Sequence, residues 1–210
     1  MSRDDWFRNT EWTESIERAF EEKLRRARQK SQYLRIQANC LAESHPIVAL
    51  RLLERYFKLD EKFDWAQAYC DQARAFLSLG RVDDAINSYE RALDREAEFP
   101  NLKTQAYIEL PFLIVTRSRR ERFERAAQVL LDRQSRLTFP VDRFMWHAAL
   151  ALIAQCRGDN ANASEHASYA LTEARQHHSG FRFHPTVGLV PSQYQSLIDQ
   201  LTPLSGKPLH

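Results

Sequence analysis

Residues 69–93 read YCDQARAFLSLGRVDDAINSYERAL. Ala73 stands seven residues before Gly80, and Ala85, Ala92 and Leu93 follow it by five, twelve and thirteen. Small side chains at these offsets let two helices approach closely, and glycine ends the first helix where a positive φ is wanted. The stretch therefore reads as a helix–turn–helix. The same offsets recur 78 residues on, where Ala151, Ala163, Ala170 and Leu171 surround Gly158. A recurring helix–turn–helix marks an all-α helical solenoid, whose customary work is binding rather than chemistry.

Outward from this unit the chain keeps a helical period. An N-terminal helix capped by Asn9 or Thr10 carries the stripe Trp12, Ile16, Phe20 and Leu24, which continues through Ala27, Leu34, Ala38 and Leu41. The stripe is one long helix or two with a bend near residues 29–32, and it reads as packing on its own chain rather than as a coiled coil. Ser44-His45-Pro46 breaks the helix, with Pro46 suited to the first turn of the next, which bears Ala49, Leu53 and Tyr56. Helices are expected at residues 63–79 and 82–96, the second with Asp83 and Asp84 at its positive end. Two further pairs follow, at 102–118 with 122–137 and at 141–157 with 160–177. Pro111 marks either a kink or a helix boundary.

From Ser179 the pattern turns extended, and Ser192 caps a short helix over 193–201. This tail reads as the cap that a repeat array needs, or alternatively as a segment (181–190) lying in the protein's own groove. Residues after Thr202 read as a frayed end. The layout is an N-terminal extension over 1–31, a repeat array of about four helix pairs over 32–178, and a capping segment over 179–210.

Composition narrows the class. Charged residues are 28% and apolar residues 43%, ordinary for a globular protein, and five glycines favour long helices over many tight turns. A net charge of +2 gives no global pull toward nucleic acid or membrane. The start of the chain, Met1 to Asp5, has no apolar stretch behind it, and no run approaches a membrane span. Cys40, Cys70 and Cys156 are far apart and odd in number, so buried thiols in a reducing, cytoplasmic setting are expected.

Tyr69, Gln72, Ala73, Phe76, Gly80, Ala85, Tyr89, Ala92 and Leu93, with Pro100 a little late, resemble a tetratricopeptide repeat. The match is best over residues 66–100 and weaker over 32–176. Gln72 stands where that family usually has Leu, and His147 and Ala167 stand where aromatic residues are common. The resemblance implies antiparallel helix pairs in a right-handed superhelix whose concave groove binds a peptide or protein. Marker alanines Ala49, Ala85, Ala126 and Ala163 are spaced by 36, 41 and 37 residues, longer than the regular repeat, so extra turns are expected in the loops. HEAT-like pairs are the structural alternative.

On that resemblance the first helix of each pair lines the groove. This selects Arg35, Asn39, Gln67, Asp71, Arg74, Gln105 and Glu109 as partner-binding candidates, with Cys70, Ser78, Ile108, Phe112, Met145 and Ala149 beside them. Arg35 and Asn39, four apart on one face, resemble half of a clamp for a C-terminal carboxylate, but the acid Asp71 opposes such a ligand. Two basic clusters, residues 23–30 and 117–125, lack the regular base-facing repetition of RNA-reading solenoids and have acids at helical spacing. No phosphate loop, zinc motif or close cysteine pair is present, so neither enzyme, metal nor cofactor is expected. The expected function is a protein- or peptide-binding scaffold. Self-association, as a homodimer through the Trp12 to Leu41 stripe or an uncapped end of the array, and RNA binding through the arginine clusters are the alternatives.

Overall fold

The computed structural model describes residues 5–206, so the readings of the first four and last four residues lie outside the described part. Ten α-helices and no strand occur among the described residues, in keeping with the all-α expectation. The chain divides into two compact units, Met1–Ala106 and Tyr107–His210. No described helix is long and apolar enough to cross a membrane.

The first unit holds α1 (Glu14–Arg26), α2 (Lys30–Leu41), α3 (Pro46–Lys58), α4 (Trp65–Ser78) and α5 (Val82–Glu98). The N-terminal stripe is split into two helices, with the break at Ala27, whose ψ of 143° is extended. Neither Asn9 nor Thr10 caps α1; the Thr13 side chain does, accepting from Ile16 N at 3.4 Å. Asn9 is drawn away by tertiary structure: it donates to the fully buried Gln37 side chain at 2.8 Å and accepts back from it at 2.7 Å. Trp6 and Phe7 then pack on Tyr33 at 4.8 and 4.7 Å between ring centroids. The core joins Phe20 and Leu24 of α1, Leu34, Ala38 and Leu41 of α2, Leu52, Leu53 and Tyr56 of α3, and Ala68 and Ala75 of α4. Burial of side chains this large supplies about 1.5–3 kcal/mol each.

In the pair α4–α5 the marker alanines behave as their size predicts: Ala73, Ala85 and Ala92 are fully buried. Gln72, the departure from the repeat pattern, is accommodated by a hydrogen bond from Ser88 Oγ at 3.0 Å, so a polar pair replaces an apolar contact.

The second unit holds α6 (Ala106–Thr116), α7 (Phe123–Asp132), α8 (Pro140–Cys156), α9 (Asn160–Ala174) and α10 (Gln195–Leu201). Pro111 lies inside α6 and is no boundary. In α8–α9, Ala151, Ala163 and Ala170 are all buried. The tail covers α9: α10 and the single turn Pro203–Ser205 pack against it, with Leu201 fully buried and Ser205 nearly so. Residues 203–205 are thus ordered where a frayed end was expected. Segment 181–190 runs along the start of α8, where Val141 N donates to Gly188 O at 2.8 Å and Phe181 meets Phe139 at 5.4 Å.

Three turns share one backbone geometry. At Gly80, Ser118 and Gly158 φ is 71°, 53° and 76°. In each, the N–H of that residue donates three residues back, the next N–H donates five residues back from itself, and the one after returns to the turn residue's own carbonyl. For Ser118 these bonds reach Val115 O at 3.0 Å, Ile114 O at 2.9 Å and Ser118 O at 2.9 Å. A turn that the sequence shows twice therefore occurs three times, and Ser118 pays the left-handed strain that glycine escapes. A 3-10 turn at Arg120–Arg122 sits between Ser118 and α7. That extra turn moves Ala126 three residues later than its counterparts and accounts for the uneven 41 and 37 spacing.

Candidate functional site

Arg35 and Asn39 share one face of α2, and Gln67, Asp71 and Arg74 share one face of α4 at spacings of four and three. The structure brings all five together. Asp71 has a fully buried carboxylate: Oδ1 accepts from Arg74 Nη2 at 2.6 Å and from Gln67 Nε2 at 3.2 Å, and Oδ2 accepts from Arg35 Nη1 at 3.3 Å. Arg74 also donates to Asn39 Oδ1, and Arg35 Nε lies 3.3 Å from Asp64 Oδ2. Two guanidiniums face two carboxylates, so the group is electrically neutral. A buried carboxylate holding two arginines fastens α2 to α4, while Arg35 Nε is buried without a hydrogen-bond partner.

The remaining candidates lie elsewhere. Gln105 is exposed just before α6, and Glu109 is half-buried on α6 in the second unit. Ile108, Met145 and Ala149, read as groove-facing, are buried core residues. Cys40 is half-buried, with its thiol pushed up by burial, and Cys70 is buried. Cys156, expected inside, is exposed.

The second unit contains a cavity of about 920 Å³ that sequence reasoning did not locate. Phe112 and Val115 of α6 form one wall, Leu152 of α8 another, and Leu197 of α10 a third. Tyr194 anchors the third wall: its ring meets Phe112 at 5.6 Å and Phe144 at 5.4 Å, and its hydroxyl lies 3.6 Å from Met145 Sδ. Burial raises the phenol's pKa, so it stays a neutral packing group. Arg117 and Arg120, which flank Ser118 in the chain, also line the cavity, and both are exposed. No carboxylate lines the cavity. Of the arginine cluster read from the sequence, only these two line it. The signal that could have found it is the third turn, which serine in place of glycine conceals.

A second feature replaces an aromatic contact of the repeat pattern. His147 of α8 and His166 of α9 face each other with Nδ1 atoms 3.0 Å apart, between Trp146 and Tyr169. Burial, the neighbouring His166 and Arg143 hold the His147 pKa down at about 4, and burial lowers that of His166. Among the described residues no group of three or more His, Cys, Asp or Glu is placed to hold a metal ion.

Compared with known protein families, with curated proteins and with solved structures, the chain matches none.

Proposed function

We propose that the helix pairs are tetratricopeptide-like repeats forming a right-handed solenoid, and that the protein is a non-enzymatic scaffold binding a peptide or protein. The single observation carrying this reading is the turn that recurs at Gly80, Ser118 and Gly158 with the same hydrogen bonds, flanked at Gly80 and Gly158 by helix pairs with buried alanines. Repeated, pre-formed helix pairs present a surface at low entropic cost, which suits reversible association. The polar chemistry supports the same view. The candidates on α2 and α4 are bound chiefly to one another, and the large cavity offers arginines, amides and apolar walls rather than an activated nucleophile beside a base.

Affinity capture from a lysate of the protein's own cells, with and without nuclease, tests the reading. The expected result is a protein partner retained after nuclease at a fixed stoichiometry. Loss of all partners on nuclease treatment would transfer the proposal to RNA. A mass that doubles with concentration by light scattering, with no partner captured, would transfer it to self-association.

A further inference from the structure

We infer that the cavity of the second unit is a receptor for a short acidic peptide segment bearing a bulky apolar side chain; this rests on the scaffold reading and names its ligand chemistry. The charge is the first ground. Arg117 and Arg120 line the cavity and are exposed, and neither guanidinium has a hydrogen-bond or ion-pair partner among the described residues. Nearby acids are occupied or off the cavity: Glu124 holds Arg157 at 2.5 Å, Asp199 accepts from Gln195 at 2.9 Å, and Glu121 does not line it. Two arginines with no lining carboxylate make a local positive field in a protein whose other polar cluster is neutral. Guanidinium forks match carboxylates in two-point geometry.

Shape is the second ground. A cavity of about 920 Å³ lies at the upper end of the range for ligand sites, enough for several residues. Phe112, Val115, Leu152 and Leu197 offer an apolar wall for one anchor side chain. Gln155 and Gln200 carry amides that both donate and accept, as an extended peptide backbone requires. A nucleic acid would need cations repeated along a phosphate track, and two lining arginines do not provide that. The ligand therefore has carboxylates for the two arginines and an apolar residue for the wall.

The test is selection of a random dodecapeptide display library on the full chain, followed by binding of the enriched peptides made synthetically. Enriched sequences should pair two or more Asp or Glu with Leu, Ile, Phe or Trp. Arg117→Glu with Arg120→Glu should weaken binding tenfold or more with unchanged helical circular dichroism, and the corresponding Lys pair should restore part of it. Cys156 lines the same cavity and is exposed, so bound peptide should slow its alkylation by iodoacetamide, read at Cys156 itself by peptide mass mapping because Cys40 is only half-buried while Cys70 is buried. Enriched peptides without acids, binding indifferent to both arginine pairs, or unprotected Cys156 would overturn the inference and leave the scaffold reading standing. A library that enriches nothing, together with a lysate capture that retrieves no protein, would overturn both.

Discussion

The His147–His166 contact makes the second unit acid-sensitive through a definable step. Its Nδ1 atoms lie 3.0 Å apart, so one ring donates and the other accepts, and a second proton would set two N–H groups against each other. The charged groups around the pair are Arg143 of α8, which disfavours the imidazolium, and Glu165 of α9, which favours it on His166; Arg143 itself is held by Glu173 at 2.9 Å. Burial is the largest cause and holds the His147 pKa at about 4, against 6.5 in an unfolded chain. Between those values the unfolded state binds more protons than the folded one. The pair's contribution is therefore complete above pH 6.5, drains away as pH falls through the interval, and is gone below about 4. At about 1.4 kcal/mol per pKa unit the full gap is roughly 3 kcal/mol, and solvent screening of partly exposed rings reduces it to about 1–2. Carboxylates elsewhere also lose stabilisation in acid, so the measurement is a difference. Urea unfolding by circular dichroism at pH 7.5 and 4.5 should show the wild type losing about 1–2 kcal/mol more than His147→Phe, a side chain that keeps the ring contacts with Trp146 and Tyr169. Imidazole proton shifts should place one titration well below 6. Equal losses in both proteins, or a His147 titration near its ordinary value, would refute the reasoning.

Ser118→Gly should stabilise the fold by about 0.5–1 kcal/mol, because relief of left-handed strain exceeds the added chain entropy, whereas Gly158→Ala, with nothing within 4 Å of its would-be Cβ, should cost about 1 kcal/mol from φ alone; thermal melts decide both, and a Ser118→Gly loss would remove the claim that the three turns are equivalent. Gly188→Ala should be far more damaging, since its Cβ would fall 2.4 Å from the Phe139 ring in addition to the positive φ of 70°. A melt lowered no further than that of Gly158→Ala would show that segment 181–190 can move off α8. Asp71→Ala should cost about 3 kcal/mol by leaving Arg35 and Arg74 without their shared carboxylate. A chemical unfolding midpoint within error of wild type would show that the α2–α4 link is not structural.

The helix pairs around Gly80 and Gly158 could be read from the sequence because glycine and alanine carry their geometry in their size. Ser118 could not, since serine at φ 53° looks like any other serine, and the 3-10 turn after it displaced Ala126 from the expected offset. The cap of α1 was read as Asn9 or Thr10 and is Thr13, because a partner 28 residues away, Gln37, takes Asn9. Spacing placed Arg35 with Asn39, and Gln67 with Asp71 and Arg74, but only on their own helices. That the two sets meet each other is a matter of α2 lying beside α4. The cavity was further out of reach, because one wall is a C-terminal segment held by Tyr194 on Phe112 and Phe144, contacts with no periodic trace.

Arginine serves two opposite ends in this chain, and partners rather than residue type distinguish them. Arg35 is mostly buried, and its charge is compensated by Asp71 and Asp64. Engaging an outside carboxylate there would require breaking existing bonds and leaving a buried acid uncompensated, a penalty that a surface ligand contact worth about 1 kcal/mol does not offset. Arg117 and Arg120 have no such ties, so a ligand carboxylate meets them without any prior loss. The same reasoning explains why the residues chosen from the repeat pattern in the first unit hold helices together, while the two exposed arginines beside the Ser118 turn keep their donors open.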